Sequence, residues 1–301
     1  MELIRPGTHY DFIGKRKFTV WISGVVIILS LLSVLIHGGL RYGVDFAGGL
    51  LIQLRFTTPV AIGELRSSLE AMGSKDAMVQ KFGGENEFLV RIEKASEDIE
   101  KRSQDLQASL QQRFKGVEIR RVELVGPKVG ADLKRKALWA VGLSFLAILV
   151  YVAFRFHQFG YGFGGIVALV HDIVVTFGAI SILNPEYSLS LMAVILTIIG
   201  FSINDTIVIF DRVRENIKKM RKEDLPTIFN VSINETLGRT ILTTGTVMLV
   251  VLILFFFGGD VIHDFTIALI VGLVTGTYST VYVASPVVLL WEQLVVKRRK
   301  R

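Results

Sequence analysis

Six long apolar blocks constrain this chain more than any other feature of its sequence. An α-helix that crosses the hydrocarbon core of a bilayer needs roughly 20 apolar residues, and each block approaches or reaches that length. The 301 residues are 51% hydrophobic and only 20% charged, a composition that water-soluble domains of this length rarely have. The sequence therefore predicts a polytopic α-helical membrane protein with six transmembrane helices, over residues 18–36, 137–154, 163–183, 189–210, 240–257 and 267–290.

The distribution of lysine and arginine predicts how these helices are oriented. Basic residues collect in the arm before the first block, in the loop after the fourth and in the tail 297–301, whereas the short loops 184–188 and 258–262 contain none. Short basic loops stay in the cytoplasm, so both ends of the chain are predicted to be cytoplasmic. Residues 134–136 are also basic, but they end a long translocated segment, where this rule is weak. The net charge of +7 is accordingly interpreted as an orientation signal, with no nucleic acid as a partner.

The same blocks divide the chain into parts. The first block is too long for the core of a signal peptide and no small-residue cleavage site follows it, so it is predicted to remain as an anchor. The predicted parts are a cytoplasmic N-terminal arm (1–17), transmembrane helix 1 (18–37), a periplasmic domain (38–134), transmembrane helices 2–6 (135–292) with a cytoplasmic loop (211–238), and a basic cytoplasmic tail (293–301).

The segment between the first two blocks is polar enough to form a small domain outside the membrane. Alternating and helical patterns predict strands over 51–56, 77–82, 88–92 and 117–125, with helices over 62–72 and from the cap Ser96 to Phe114. Gly83-Gly84 is predicted to form a hairpin turn. The order β-α-β-β-α-β is typical of the ferredoxin-like split unit. The segment shows no metal-ligand spacing, phosphate loop or acid pair, and cysteine is absent from the chain, so this fold supplies no activity by itself.

One carboxylate inside the fourth block requires an explanation. Asn204-Asp205 interrupts an apolar run, and a carboxylate at membrane depth costs roughly 2.5–3.5 kcal/mol on insertion scales. Ser202, Asp205 and Thr206 lie three or four residues apart, so they share one face of a helix. A serine would supply a hydrogen bond to a neighbouring helix at a lower cost. Asp205 is therefore predicted to be a proton site, with Ser202 and Asn204 as supporting polar residues.

A cation near the start of the fifth block would complete such a site. The pKa of a buried carboxyl depends on whether a cation stands within about 4–6 Å of it. Arg239 is the best candidate, because arginine stays charged and its side chain is long enough to reach inward. Thr243, Thr244 and Thr246 continue a polar track along the same block. We therefore predict Asp205 and Arg239 as a proton-relay pair, with protons as the coupling ion and no other cofactor or metal.

His171-Asp172 in the third block leaves alternatives open. Asp172 and Asp205 on adjacent spans would suit the shared-proton dyad of an intramembrane aspartyl protease, although the Gly-x-Gly-Asp context is missing. A serine protease based on Ser202 and His171 lacks its Gly-x-Ser-Gly loop. A purely structural subunit is a third interpretation, and it predicts that Asp205 and Arg239 tolerate neutral substitution. Whether His171 and Asp172 support the relay stays open at this point.

Five motifs resemble those of a known family. They are GVDFAGG at 43–49, VGPKVGADL at 125–133, HD at 171–172, GFSINDTIVIFDRVREN at 200–216 and SINETLGRTILTT at 232–244. In this order, around one small outer domain, they resemble the SecF proteins of the SecD/SecF family, which are accessory membrane subunits of bacterial protein export within the RND superfamily. The sequence departs from that pattern at Glu235 and Gly238, where glutamine and serine are more usual.

The resemblance implies a function and a set of partners. A SecF protein pairs with SecD, and the pair assists preproteins through the SecYEG channel with the proton motive force after SecA has pushed them. YajC and YidC are further expected partners, and the location is the inner membrane. The resemblance also places the relay carboxylate at Asp205 and the relay arginine at Arg239. The chain is thus expected to be a transport subunit and not an enzyme.

Overall fold

Six helices of the described residues are long and apolar enough to cross a membrane, which confirms the predicted polytopic helical class. The computed structural model describes residues 9–39, 42–74, 77–82, 84, 86–92, 99–156, 159–183 and 187–299. In chain order the helices are α1 (Arg16–Ile36), α2 (Val44–Ala47), α3 (Ile62–Ala71), α4 (Ile99–Arg113), α5 (Pro127–Phe156), α6 (Phe159–Leu183), α7 (Leu189–Lys219), α8 (Leu225–Phe257), α9 (Asp260–Ser279) and α10 (Ser285–Arg299). A π-helical turn (Thr280–Ala284) joins the last two helices into one span.

The centre of the bundle is formed by α6, α7 and the last span. In the most apolar stretch of each, 56% of the residues are buried, against 17% in α1 and 11% in both α5 and α8. Leu143 of α5 and Phe257 of α8 are among the large apolar side chains that remain exposed. Polar groups that must be shielded from lipid are therefore expected between the three central helices.

The segment predicted as a cytoplasmic loop, residues 211–238, is mostly helical. Residues 220–224 alone separate α7 from α8. Glu235 of α8 accepts hydrogen bonds from Nε of Arg212 (2.7 Å) and Nδ2 of Asn216 (2.6 Å), both on α7. These polar bridges stabilise the helices beyond their apolar blocks, where hydropathy gives no signal. The connection predicted over 211–238 thus consists of two packed helix ends and a short turn.

An antiparallel four-stranded sheet lies between α2 and α5 in the described part of the chain. The strands β1 (Gly49–Phe56), β2 (Ala77–Lys81), β3 (Glu87–Ile92) and β4 (Val117–Val125) pair in the order β2-β3-β1-β4. Ile52 of β1 packs in a common core with Leu65 of α3 and Leu110 of α4. The predicted strands and helices of this segment are therefore present in the predicted order. Gly83 and Ser96 lie outside the described residues, as do parts of the predicted arm and tail.

One-residue links join the sheet to the helices on either side of it, α2 and α5. Gly48 separates α2 from β1, and Gly126 separates β4 from α5. Gly48 has a φ of +75°, which residues with side chains rarely adopt, and a Cβ there would lie 2.9 Å from Cα of Pro127. The chain at Gly48 therefore packs closely against the start of α5, next to the second link.

Candidate functional site

Asp172 of α6 is fully buried and joins three helices. Its Oδ2 accepts hydrogen bonds from Oγ of Ser202 on α7 (2.7 Å) and from Oγ of Ser279 on α9 (2.8 Å). Its Oδ1 lies 3.1 Å from Nδ1 of His171. The role of His171 and Asp172 was left open by the sequence, and the structure places both beside the predicted supporting residue Ser202.

A second hydrogen bond joins α7 to the last span one helical turn further along. Oγ1 of Thr206 lies 3.1 Å from Oγ1 of Thr280, the first residue of the π-helical turn. Oγ of Ser285 donates to the carbonyl of Thr280 (3.1 Å), and Pro286 follows without an N–H to continue the helical ladder. The backbone thus departs from α-helical geometry where the last span meets α7. We call the connected side chains the central polar network: His171, Asp172, Ser202, Thr206, Ser279 and Thr280.

Asp205 borders this network on the same face of α7. It is 2% exposed, and its Oδ2 has no hydrogen-bond partner among the described residues. Arg239 is exposed on α8, which packs against α7. Its charge attracts Asp205, yet no nitrogen of Arg239 lies within the 4.0 Å that defines an ion pair. The structure therefore brings the predicted relay pair onto adjacent helices without an ion pair between them.

The remaining predicted supporting residues differ in where they point. Asn204 is exposed and lies outside the central polar network. Oγ1 of Thr243 donates to the carbonyl of Arg239 within α8 (2.9 Å). Oγ1 of Thr244 instead lies 3.1 Å from Oγ1 of Thr277 on α9. Of the predicted polar track along α8, Thr244 thus forms a contact with another helix, and Thr243 bonds to its own helix.

The contribution of the last span was not predicted from the sequence. Ser279 and Thr280 complete the central polar network, and the ring of Tyr278 stacks on His171 with centroids 5.9 Å apart. The hydroxyl of Tyr278 also donates to a backbone carbonyl of α1 (2.9 Å), which ties the first helix to the network. The run Gly-Thr-Tyr-Ser-Thr at 276–280 was the available signal, since four hydroxyl groups interrupt an apolar span there.

The hydrogen bonds at this site do not match those expected of either protease interpretation. A shared-proton dyad needs its two carboxyl groups close enough to share that proton, and no hydrogen bond joins Asp172 to Asp205 in the described part of the chain. Ser202 donates to Asp172, and no hydrogen bond to His171 is found for it among the described residues. The arrangement instead offers a buried carboxyl, whose Oδ2 has no hydrogen-bond partner among the described residues, beside a chain of hydroxyl groups. Such a site is suited to taking up and releasing a proton.

Replacing Asp172 with alanine is expected to lower the free energy of unfolding by about 1–3 kcal/mol, because the Ser202 hydroxyl loses its acceptor inside the bundle. Asp172→Asn keeps an acceptor oxygen at nearly the same place and should lose less. Thermal unfolding of the purified chain in detergent measures both. Asp132→Ala on the surface of α5 is the matched control, since Asp132 pairs with Arg135 of its own helix. Equal stability of Asp172→Ala and the unmodified chain would contradict a structural role for this network.

Comparison with known proteins gives consistent matches. Residues 105–294 match the family described as Protein export membrane protein SecD/SecF, C-terminal, and residues 33–60 match the SecD/SecF GG motif. The protein translocase subunit SecF of Magnetococcus marinus is 43% identical over 97% of this chain and 95% of its own length. That of Thermodesulfovibrio yellowstonii is 42% identical over 94% of this chain and 95% of its own length.

Two solved structures of SecDF have the same fold. SecDF of Thermus thermophilus, a translocon-associated membrane protein, is 36% identical and superimposes with a TM-score of 0.85 over 95% of this chain and 39% of that chain. A SecDF structure in the super-membrane-facing form gives a TM-score of 0.73 at the same identity, over 100% of this chain and 41% of that one. The present chain thus corresponds to about two fifths of a SecDF chain.

The fold and the site define a multi-pass helical membrane protein with buried carboxyl groups between its central helices. With full-length relatives above 40% identity, the chain belongs to the SecF proteins of the SecD/SecF family. Its role is in protein translocation by the Sec export pathway.

Proposed function

We propose that this chain pairs with SecD in the bacterial inner membrane and uses the proton gradient to assist preprotein export. The observation that carries the proposal is Asp205, a carboxyl buried in α7 whose Oδ2 has no hydrogen-bond partner among the described residues. The solved SecDF chain supports the partnership with SecD, because this chain matches 39% of it and leaves room for a second subunit.

In the proposed cycle Asp205 takes up a proton that arrives from the outer side. Its neutral form loses its attraction to Arg239 on α8, and the helices around it shift. Release of the proton to the cytoplasm restores the attraction and resets the pair. One proton that crosses about 100 mV supplies about 2.3 kcal/mol, which is enough to bias a two-state motion. Protons are the coupling ion, with no other cofactor.

The proposed orientation puts both termini in the cytoplasm and the sheet on the periplasmic side. The basic loops support this orientation. The strand order β2-β3-β1-β4, with α3 and α4 packed against the sheet, supports a ferredoxin-like domain there. Such a domain offers a rigid surface to SecD or to a passing preprotein. The SecYEG channel, SecA, YajC and YidC complete the proposed partners.

Preprotein translocation into inverted membrane vesicles tests the proposal. The vesicles carry this chain with its SecD partner, SecYEG and SecA, and the gradient is collapsed with a protonophore. The share of translocation that depends on this chain should disappear with the gradient. A passive assembly subunit, the alternative interpretation, predicts instead that the chain-dependent share survives without a gradient.

A further inference from the structure

The short helix α2 is docked on the connection that leads into α7. The N–H of Gly43 donates to the carbonyl of Tyr187 (2.9 Å), and Oδ2 of Asp45 accepts from the N–H of Leu189, the first residue of α7 (2.9 Å). The ring of Phe46 stacks on that of Tyr187 with centroids 5.8 Å apart. We call this contact between residues 42–47 and 187–189 the clasp.

The clasp is packed like a protein core. Val44, Phe46 and Tyr187 are each 6% exposed or less. Burial raises the pKa of Tyr187 well above its ordinary value, so the ring stays neutral. The carboxylate of Asp45 also lies at the N-terminal end of α7, where the helix dipole favours a negative charge. These contacts indicate a fixed joint in place of a loose surface loop.

On its other side the clasp is fixed to the sheet and to α5. The single residue Gly48 leads from α2 into β1. A Cβ on Gly130 of α5 would lie 2.9 Å from the carbonyl oxygen of Phe46, so α5 and α2 are in backbone contact. The helix α2, the start of β1 and the start of α5 therefore form one packed corner that holds the sheet.

The helix that begins at the clasp is the helix that carries Asp205. Leu189 and Asp205 are separated by about 24 Å along α7, at 1.5 Å per residue. A continuous helix is stiff over this distance, because its backbone hydrogen bonds connect every turn to the next. A displacement of α7 at Asp205 therefore reaches Leu189, and the contacts of Asp45 and Tyr187 carry it to α2.

We propose that Asp45 and Tyr187 are positioning residues that couple α7 rigidly to the sheet domain. The clasp stays closed through the cycle, and movement of α7 on proton uptake displaces the sheet domain as one body with α2. This inference rests on the proposed function and assigns a mechanical role to the glycine-rich motif at 43–49.

The chain allows a direct test by disulfide cross-linking, since it contains no cysteine. A Cβ at Gly43 would lie 3.7 Å from Cβ of Ser188, within the usual range for a disulfide. Gly43 has a φ of −67°, which residues with side chains readily adopt. The pair Gly43→Cys and Ser188→Cys therefore closes the clasp covalently under oxidising conditions, and reduction opens the bond.

In vesicles with SecD, Asp45→Ala should lower gradient-driven translocation by roughly fivefold or more, the lower end of typical coupling between sites. Proton flux through the vesicles, reported by a pH-sensitive dye, should persist. The oxidised cysteine pair added to Asp45→Ala should restore translocation, and reduction should remove it again. Asp132→Ala on the nearby surface of α5 is the matched control and should behave like the unmodified chain.

Three outcomes would overturn the inference. They are full translocation by Asp45→Ala, loss of proton flux together with translocation, and a block of translocation when the disulfide closes the clasp in the chain that retains Asp45. Translocation by the unmodified chain, measured with and without the gradient, distinguishes failure of this inference from failure of the proposed function. If preprotein translocation with the unmodified chain is independent of the gradient, the proton-driven role is wrong. The clasp variants would then have no effect on gradient-driven translocation.

Discussion

Translocation by vesicles that carry Asp205→Asn is expected to become insensitive to the proton gradient. Asparagine has nearly the volume of aspartate and retains an acceptor oxygen, so the buried face of α7 should keep its packing. It cannot take up or release a proton. The chain-dependent response to a protonophore, measured by preprotein protection in inverted vesicles with SecD, should therefore disappear while the chain still assembles.

The control for this change lies on the same helix. Asp211 is partly exposed and pairs with Arg155, with 2.9 Å between Oδ2 and Nη2. Surface ion pairs of this kind contribute about 0–1 kcal/mol, so Asp211→Asn should leave both assembly and the gradient response unchanged. A normal gradient response in Asp205→Asn would contradict the relay, and the chain would then be a passive subunit.

For the proposed relay, the hydrogen bonds of the two carboxyl groups favour Asp205 over Asp172. Both are buried, but Asp172 accepts hydrogen bonds from Ser202 and Ser279 and also contacts His171. A carboxyl with both oxygens bonded is held in place and fixes the helices around it. Asp205 has an unbonded oxygen next to that fixed frame. In the proposed cycle, its environment can therefore change when α7 moves relative to Arg239.

The membrane helices were predictable because hydropathy acts locally. Each apolar block is long enough to define a span by itself, and all six are helices in the structure. The blocks underestimated α7 and α8, because residues 211–238 are held in helices by polar contacts such as Arg212 with Glu235. A polar contact between two helices produces no periodic pattern in the sequence of either helix, so it could not be predicted from the sequence.

The candidate site was predictable only in part for the same reason. Asp205 was visible as a costly carboxylate in an apolar run. Ser279 and Thr280 were not selected, because a hydroxyl in a membrane helix commonly bonds to its own backbone. Their importance follows from the position of the last span beside Asp172 and Thr206, which depends on packing. Asn204 was included because it adjoins Asp205, yet neighbours in a helix point about 100° apart and Asn204 is exposed.

The close packing that brings these groups together depends on Gly272 of α9. A Cβ at this position would lie 2.0 Å from Cδ1 and 2.3 Å from Cγ1 of Ile198 on α7. Ile198 is 1% exposed, and a β-branched side chain in a helix has few other rotamers. Gly272→Leu is therefore expected to separate α7 from α9 and to lower the free energy of unfolding by about 3 kcal/mol, the upper end of typical overpacking costs.

Thermal unfolding in detergent measures this loss, and a glycine elsewhere provides the comparison. Gly245 on α8 has no atom within 4 Å of its ideal Cβ position, so Gly245→Leu should be neutral or slightly stabilising through its better helix propensity. Adding Ile198→Ala to Gly272→Leu removes the clashing atoms and should recover part of the stability, in a double-mutant cycle. If Gly272→Leu melts like the unmodified chain, or if Ile198→Ala gives no recovery, the contact between α7 and α9 does not depend on this glycine. The central polar network would then have to be held together by its hydrogen bonds alone.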